Sequence, residues 1–298
     1  MKPKVLVITG PTATGKSALG VHLAKVFDGE IISADSRQVY KGLDIGSAKI
    51  TPSEMEGIPH FGIDVANPDE IFSVADFKTL ATDAIADIHT RGKLPIMVGG
   101  TGMYISSVIN NQTLPQVPPD YELRAHLEQE TAEILFKKLE EIDRDRAATI
   151  DPKNKVRVIR AIEIATALGS VPTTTSLSSP YDILIIGLDL PKPELQTRIR
   201  DRIIARIPAL FDEINNLLAQ GVSPKRLVSF GLEYTYGLAY VQKTLSLEDF
   251  TTTLATKTWQ FVRRQITWWK KDSRVHWMNP LLDQQKILKL VQDFLSNE

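Results

Sequence analysis

The amino-acid sequence predicts an α/β fold, in which helices flank a parallel β-sheet and a helical insertion domain interrupts the sheet-forming core. A short β-branched run, Val5–Thr9, leads directly into a glycine-rich loop. Strand-like and helix-like patterns then alternate as far as Val98, which is typical of β-α-β units with right-handed crossovers. From Asp120 to Gly169 the pattern is helical and polar and contains no strand candidate.

The loop after the first strand carries a phosphate-binding pattern. The strand is followed by G-x-x-x-x-G-K-S and then by a helix predicted for Ser17–Phe27. Small residues let successive backbone N–H groups turn towards phosphate oxygens, Lys16 adds a positive charge, and Ser17 offers its hydroxyl to Mg²⁺. The predicted phosphate-binding residues are Gly10, Pro11, Thr12, Ala13, Thr14, Gly15, Lys16 and Ser17. The fold is therefore expected to be P-loop NTPase-like. The loop alone does not identify its phosphorylated ligand, and in isolation it suggests ATP.

Two further polar residues are predicted at the same edge of the sheet. Asp35 ends the second predicted strand, Glu30–Ala34, and Thr101 follows Leu94–Val98 after two glycines. Ligands of open parallel sheets gather at the carboxyl ends of the strands, so these residues and the phosphate loop should converge. From spacing alone Asp35 fits three roles: a carboxylate that orients a metal, a general base, or a helix cap. Thr101 fits either a site residue or a helix N-cap.

The remaining patterns divide the chain into a core and an insertion. Ser73 begins a capping box for a helix that ends near Gly92. A proline-rich stretch at 114–119 precedes the helical segment, and a Thr/Ser-rich loop at 172–180 follows it. We assign residues 1–114 and 179–298 to the P-loop α/β core and residues 115–178 to the helical insertion. The core continues with a strand at 182–188, helices at 193–221 and 247–271, an edge strand at 275–278 and a last helix at 284–295.

Composition narrows the classes of function. The 298-residue chain has no cysteine and a formal net charge of −1, so it offers no disulfide framework, no thiol nucleophile and no overall cationic surface for nucleic acid. No apolar run reaches the roughly 20 residues that cross a bilayer, and the N-terminus shows no signal-peptide pattern. We therefore expect a cytoplasmic protein without membrane association, in which any binding of nucleic acid depends on local basic patches.

Two local basic patches are present. The first places Lys153, Lys155, Arg157 and Arg160 in the predicted insertion, and the second runs from Lys257 to Arg274 among aromatic residues. A basic patch on an insertion is what an RNA clamp requires, because phosphate contacts supply most of the affinity for RNA. A solvated helix face with an apolar back is the alternative for each patch.

Several motifs, distributed along the chain, resemble the tRNA dimethylallyltransferase (tRNA isopentenyltransferase) family of bacterial type. They are the phosphate loop, Ile31–Tyr40, Gly46–Lys49, Pro59-His60, Ile63-Asp64, Ser73–Phe77, Val98–Tyr104, Arg157–Glu163 and Arg264–Trp268. The resemblance extends from the first strand to about residue 278, which is nearly the whole chain.

This resemblance implies transfer of a dimethylallyl group from dimethylallyl diphosphate to N6 of the adenosine 3′-adjacent to the anticodon of tRNAs. It implies that the phosphate loop holds the donor's diphosphate with Mg²⁺ as cofactor, that Asp35 is the general base, and that Thr101 belongs to the catalytic site. The anticodon stem-loop of tRNA is the implied partner of a monomeric enzyme. The implied tRNA contacts are Asp35, Ser36, Arg37, Gln38, Thr101, Arg124, Val156, Arg157, Val158, Ile159 and Arg160.

The sequence departs from the family in two motifs, and its insertion is also short. The family has a basic residue followed by a Gly-Tyr-Arg-like run where this chain has Val228-Ser-Phe-Gly-Leu-Glu233, and the usual Thr-Arg-Gln reads Thr258-Trp-Gln260. Three other functions fit the phosphate loop. They are a kinase acting on a small molecule or nucleotide, a prenyltransferase acting on free AMP, and a nucleotide-dependent binding switch.

Overall fold

The computed structural model describes residues 2–172 and 178–297. Its strands are β1 (Lys4–Thr9), β2 (Gly29–Ser33), β3 (His60–Phe61), β4 (Leu94–Val98), β5 (Asp182–Leu188) and β6 (Val275–Met278). Its helices are α1 (Lys16–Val26), α2 (Pro52–Met55), α3 (Val74–Thr90), α4 (Gly102–Ile109), α5 (Tyr121–Leu127), α6 (Ala132–Ile142), α7 (Arg144–Thr149), α8 (Lys155–Leu168), α9 (Lys192–Ala219), α10 (Pro224–Ser229), α11 (Leu232–Val241), α12 (Leu247–Trp269) and α13 (Gln284–Ser296). The loop predicted at 172–180 falls mainly on residues 173–177, which lie outside the described residues.

The strands form one parallel sheet in the order β3-β2-β4-β1-β5-β6. In the interior of the sheet, Leu6 of β1 pairs with Ile96 of β4 on one side and with Leu184 of β5 on the other. β6 pairs with β5 and forms one edge. The parallel sheet flanked by helices confirms the predicted fold class, and the position of β6 confirms the predicted edge strand.

Apolar cores cover both faces of the sheet, which explains why its strands are nearly continuous apolar runs. Val5 and Val7 of β1 belong to one core, whereas Leu6 and Ile8 belong to the other, because successive side chains of a strand point to opposite faces. The first core continues into α3, α4, α9, α11 and α12, and the second into α1 and α13. β1 is therefore fixed from both faces and from both neighbouring strands, and so is the start of the loop that follows it.

Most elements lie where the sequence pattern predicted them. β4, β5 and β6 have the predicted bounds, and Ser73 caps α3 through a capping box completed by Asp76. The pattern missed β3, whose two residues are too short for a periodic signal. It also missed α10 and α11, which are short and separated by Phe230 and Gly231. Of α4 it identified the N-cap position, Thr101.

The chain divides into two compact units, residues 1–111 with 178–298 and residues 112–177. The described part of the second unit contains α5 to α8 and no strand. That unit has an apolar core of its own, to which Leu135, Leu139, Val158 and Ile162 belong. None of the described helices combines the length and the apolar content that crossing a membrane requires.

A buried carboxylate organises the second unit. Glu163 of α8 is 2% exposed and accepts two hydrogen bonds from Arg124, at 2.8 and 2.7 Å, and one from the Asp120 backbone N–H at 2.6 Å. Arg160 donates a further bond to it. Burial by itself raises the pKa of a carboxyl, but the hydrogen bonds from both arginines outweigh burial here and lower the pKa of Glu163. This ion cluster joins α5 to α8.

We expect Glu163→Gln to destabilise the second unit, because an amide cannot accept both bonds from Arg124 and leaves two guanidinium groups without a counter-charge. The loss should be about 2 kcal/mol in the free energy of local opening of α5 and α8, measured by hydrogen exchange in the whole protein. This is less than for a fully buried pair, because the side chains of Arg124 and Arg160 are 30% and 34% exposed.

Glu140→Gln, at an exposed site on α6, is the matched control and should leave the protection unchanged. Because the folded-state pKa of Glu163 is lowered, the stability it contributes is present above the unfolded pKa and is lost as pH falls through the folded value. The two proteins should therefore converge in acid. Equal protection of wild type and Glu163→Gln at neutral pH would show that the cluster is not a stabilising element.

Candidate active site

A cavity of about 990 Å³ lies at the carboxyl edge of the sheet, within the first unit. Its wall contains the phosphate loop after β1, residues 35–38 after β2 and residues 99–102 after β4. The predicted convergence of the phosphate loop, Asp35 and Thr101 at one edge of the sheet is confirmed. Their individual roles stay predictions.

The phosphate loop requires glycine at two positions. Gly10 has a φ of +134°, and a Cβ at this residue would lie 2.5 Å from the carbonyl oxygen of Leu188 in β5. Gly15, at the N-cap of α1, has a φ of 90° and adopts the left-handed conformation. Within the loop, the Thr14 hydroxyl donates to the Pro11 carbonyl oxygen at 2.8 Å. The loop is therefore packed against β5 in a defined shape.

Lys16 is the cation at the end of this loop. Its ammonium group donates to the Pro11 carbonyl oxygen at 2.6 Å. Burial and, to a lesser extent, the charge of Arg202 lower the pKa of Lys16 to about 7, against the opposing effect of the nearby Asp35. An anion bound in the cavity would stabilise the protonated amine, so ligand binding and the protonation of Lys16 are coupled.

The turn after β2 orients Asp35. Its Oδ1 accepts the backbone N–H groups of Arg37 at 2.8 Å and Gln38 at 3.3 Å, and its Oδ2 makes no hydrogen bond within the described residues. Thr101 lies at the N-cap position of α4, but its hydroxyl does not cap that helix; it accepts the Ser36 N–H at 3.1 Å. One oxygen of Asp35 therefore stabilises the turn, and the other is available to a ligand.

One side chain of α12 joins two of the loops. Gln265 is 7% exposed, accepts the Thr12 N–H at 3.0 Å, and donates to the Gly100 carbonyl oxygen at 3.1 Å. A Cβ at residue 100 would lie 2.4 Å from Nε2 of Gln265, so this contact requires glycine. The sequence indicated the segment 264–268 by resemblance, but no local signal assigned Gln265 a role, because its partners lie 253 and 165 residues away.

A row of arginines on α9 completes the cavity wall. Arg198, Arg202 and Arg206 are four residues apart, which places them on one helix face, and all three line the cavity. Arg202 donates from Nη2 to the Thr12 hydroxyl at 2.6 Å. Burial lowers the pKa of Arg202 and brings that of Arg206 down to about 10. None of the residues predicted from the sequence belongs to this row, although its four-residue spacing is a visible signal.

The two departures from the family pattern have different surroundings. Glu233 lines the cavity, and burial raises its pKa against the opposing effect of Arg202 and Arg206. Trp259 does not line the cavity; it packs against the apolar core, with the Lys192 ammonium 5.7 Å from its ring centroid. The first departure therefore changes the charge of the cavity wall, and the second changes packing outside it.

The RNA contacts predicted in the second unit fall into three groups. The side chains of Val158 and Ile159 belong to the core of that unit and hold α8 in place, and their contact with RNA stays a prediction. Val156 and Arg157 are exposed. Arg124 and Arg160 are bound to Glu163 and about one-third exposed, so each presents part of its guanidinium group to solvent.

Ser17 fits the predicted role towards Mg²⁺. It is exposed and lines the cavity wall at the start of α1. Among the described residues there is no group of three or more His, Asp or Glu side chains that could hold a metal ion. Mg²⁺ commonly retains water and binds through few protein oxygens together with the phosphates of a substrate. A hydroxyl beside a phosphate loop suits that mode of binding.

The sequence of this chain is similar to those of known proteins over most of its length. A family model described as IPP transferase matches residues 38–272. The chain is 46% identical over 275 residues to the tRNA dimethylallyltransferase of Roseiflexus castenholzii. This match covers 90% of this chain and 90% of the relative. It is 44% identical over 283 residues to that of an Exiguobacterium species, covering 93% of this chain and 91% of the relative.

Two solved structures are similar over almost the whole chain. The tRNA isopentenylpyrophosphate transferase of Bacillus halodurans has a TM-score of 0.74 and 38% identity, and the match covers 99% of this chain and 96% of that one. A eukaryotic dimethylallyltransferase acting on tRNA has a TM-score of 0.84 and 28% identity, with 99% of this chain and 80% of that chain covered.

The pKa of Lys16 predicts that binding of a diphosphate depends on pH. Above pH 7 the amine of the free protein is neutral and must take up a proton when the anion binds. We expect the dissociation constant for dimethylallyl diphosphate to rise by up to about tenfold per pH unit above pH 7. Calorimetry in buffers of different ionisation enthalpy should detect proton uptake at pH 8. A dissociation constant that does not change between pH 7 and 9 would be incompatible with uptake of a proton by Lys16 on binding.

Gln265→Ala should weaken donor binding by about tenfold, because the variant leaves the Thr12 N–H and the Gly100 carbonyl without their shared partner and releases the two loops from each other. Titration with dimethylallyl diphosphate measures the effect. Gln260→Ala, an exposed glutamine on the same helix, is the control and should bind like the wild type. Equal affinities of Gln265→Ala and Gln260→Ala for dimethylallyl diphosphate would show that the bridge formed by Gln265 does not support binding.

Proposed function

This chain belongs to the IPP transferase family, and we propose that it transfers a dimethylallyl group from dimethylallyl diphosphate to N6 of the adenosine 3′-adjacent to the anticodon of tRNAs. The observation that carries the proposal is the similarity, over nine-tenths of the chain, to relatives named tRNA dimethylallyltransferase. The geometry of the cavity supports the proposal, because its wall contains both the phosphate loop and Asp35. Only one oxygen of this carboxylate makes hydrogen bonds within the described residues.

The cationic side of the cavity suits a diphosphate leaving group. The amides of the phosphate loop, Lys16 and Arg202 lie there. As the bond between the allylic carbon and the diphosphate oxygen breaks, the electron pair leaves with the diphosphate, whose negative charge grows. Cations held in advance at that position stabilise the transition state more than the ground state. Mg²⁺, held by the Ser17 hydroxyl and the diphosphate oxygens, would add positive charge to the leaving group.

The acceptor side of the reaction requires a base. The lone pair of adenine N6 is delocalised into the ring, so the amine is a poor nucleophile unless its proton leaves while the C–N bond forms. The Oδ2 atom of Asp35 accepts that proton in our proposal, while Oδ1 keeps the carboxylate oriented through the turn. Thr101 stabilises the same turn through its bond to Ser36.

The acceptor adenosine has to leave its stack to enter such a cavity, at a cost of a few kcal/mol. Bases of a single-stranded loop are already partly unstacked, which reduces this cost and favours an anticodon loop over a duplex.

We propose that Arg124, Arg157 and Arg160 contribute phosphate contacts from the second unit. The proposal includes a cytoplasmic location and a monomeric enzyme.

Product masses test the proposed function. The protein is incubated with Mg²⁺ and dimethylallyl diphosphate, and unmodified tRNA, AMP or no acceptor is supplied in separate reactions, with parallel reactions on ATP. We expect one dimethylallyl group on the tRNA, at the adenosine 3′ to the anticodon, and none on AMP. Phosphate transfer from ATP without alkylated tRNA would favour a kinase, and alkylated AMP with unchanged tRNA would favour a prenyltransferase of free nucleotides.

Asp35→Asn should lower kcat by about 1,000-fold, because an amide cannot accept the N6 proton. The amide oxygen can still accept the N–H groups of Arg37 and Gln38, so the turn should persist. The dissociation constant for dimethylallyl diphosphate should therefore stay within about twofold of the wild-type value. Asp69→Asn, at an exposed site, is the control. Near-normal turnover by Asp35→Asn would rule out Asp35 as the base.

A further inference from the structure

Glu213 is a buried carboxylate of α9 for which the proposed reaction has no role. It is 9% exposed. Its two oxygens receive four donors: Oε2 accepts the backbone N–H groups of Asp44 at 2.7 Å and Ile45 at 2.6 Å, and Oε1 accepts the Gly46 N–H at 3.0 Å and the Tyr234 hydroxyl at 2.8 Å. Three successive amides of one loop therefore converge on a single side chain.

This loop forms one wall of the active-site cavity. Residues 46–50 all line it. Gly46 is pressed against α11, since a Cβ at this residue would lie 2.5 Å from the ring of Tyr234. At the far end of the loop, Lys49 is bound to the Tyr40 carbonyl oxygen at 2.8 Å and to Asp64 at 2.5 Å. Glu213 holds one end of the loop and Lys49 the other.

The loop is bonded in turn to the residues that face the acceptor. The side-chain amide of Gln38 donates to the Ala48 carbonyl oxygen at 3.2 Å, and its oxygen accepts the Ser33 hydroxyl at 3.1 Å. The backbone N–H of Gln38 donates to Oδ1 of Asp35. Glu213 is therefore connected to the carboxylate proposed as the base. The connection runs through the backbone of the loop from Gly46 to Ala48, and then through Gln38, which bonds to both Ala48 and Asp35.

The same helix face also carries the cationic wall. Arg202 and Glu213 are eleven residues apart, close to three full turns, so they project from the same side of α9. Arg202 contacts the phosphate loop through Thr12. The same helix therefore contacts the donor side of the cavity through an arginine and the acceptor side through a glutamate.

We propose that Glu213 is a positioning residue, which fixes the acceptor adenosine relative to the donor by holding residues 44–48, Gln38 and Asp35 in register with α9. The proposal rests on the proposed function, because it assigns an acceptor to this side of the cavity. It predicts a specific defect. Donor binding should survive loss of the carboxylate, whereas the alignment of base and acceptor should not.

Glu213→Gln tests the proposal, because its amide places N–H donors against backbone N–H donors. We expect kcat with tRNA to fall between about 10- and 100-fold, the loss typical of misalignment by a fraction of an ångström to an ångström. The dissociation constant for dimethylallyl diphosphate should stay within about twofold. Hydrogen exchange of the amides at 44–46 should become faster. Asp212→Asn, the exposed neighbour on α9, is the matched control and should resemble the wild type in all three measurements.

Gly46→Ala provides a second variant in case Glu213→Gln does not fold, since it displaces the loop from Tyr234 without changing any charge. It should show the same combination of lowered kcat and retained donor affinity. Parallel losses of kcat, donor affinity and thermal stability would indicate a general structural role and overturn the proposal, as would unchanged kcat in either folded variant. Donor affinity and amide exchange are measured without tRNA, so they test the role of Glu213 by themselves. Failure of the proposed function would show separately, as a wild-type protein that alkylates no tRNA.

Discussion

Positive charge held in a partly desolvated cavity is the feature on which the site depends. Burial lowers the pKa of Lys16, Arg202 and Arg206, so the cavity holds these cations at a cost in free energy. A multiply charged anion removes much of this cost. The phosphate loop lies at the carboxyl edge of the sheet, and α9 lies against that edge. The fold therefore brings these three cations together in the lining of one cavity.

The second requirement is a carboxylate that lies in the same cavity and keeps one oxygen available to a ligand. Asp35 meets it through backbone geometry, because the turn after β2 takes one oxygen and leaves the other unbonded within the described part of the chain. The turn is itself held by Thr101 after β4. The proposed donor and acceptor functions thus arise from β1, β4 and β2, three successive strands of one sheet, which explains why a loop that suggests ATP when considered alone can serve a different transfer reaction.

Local sequence patterns predicted much of the fold and part of the site. β4, β5, β6 and the capping box of α3 follow from apolar runs and cap residues that lie next to each other in the chain, and the phosphate loop follows from its spacing. Gln265 and Glu213 could not be predicted in this way, because their backbone hydrogen-bond partners are 165 or more residues away and no periodicity encodes them. For Val158 and Ile159 the family resemblance implies RNA contacts, whereas their packing role was not predicted: both side chains belong to the core of the second unit.

The central claim is that the phosphate loop holds a leaving group rather than a phosphate donor. Simultaneous measurement of released pyrophosphate, released orthophosphate and alkylated tRNA tests it most directly. We predict one pyrophosphate for each dimethylallyl group transferred, no orthophosphate, and no requirement for ATP. Orthophosphate released from ATP in proportion to product, or alkylation that proceeds without release of pyrophosphate, would contradict the account.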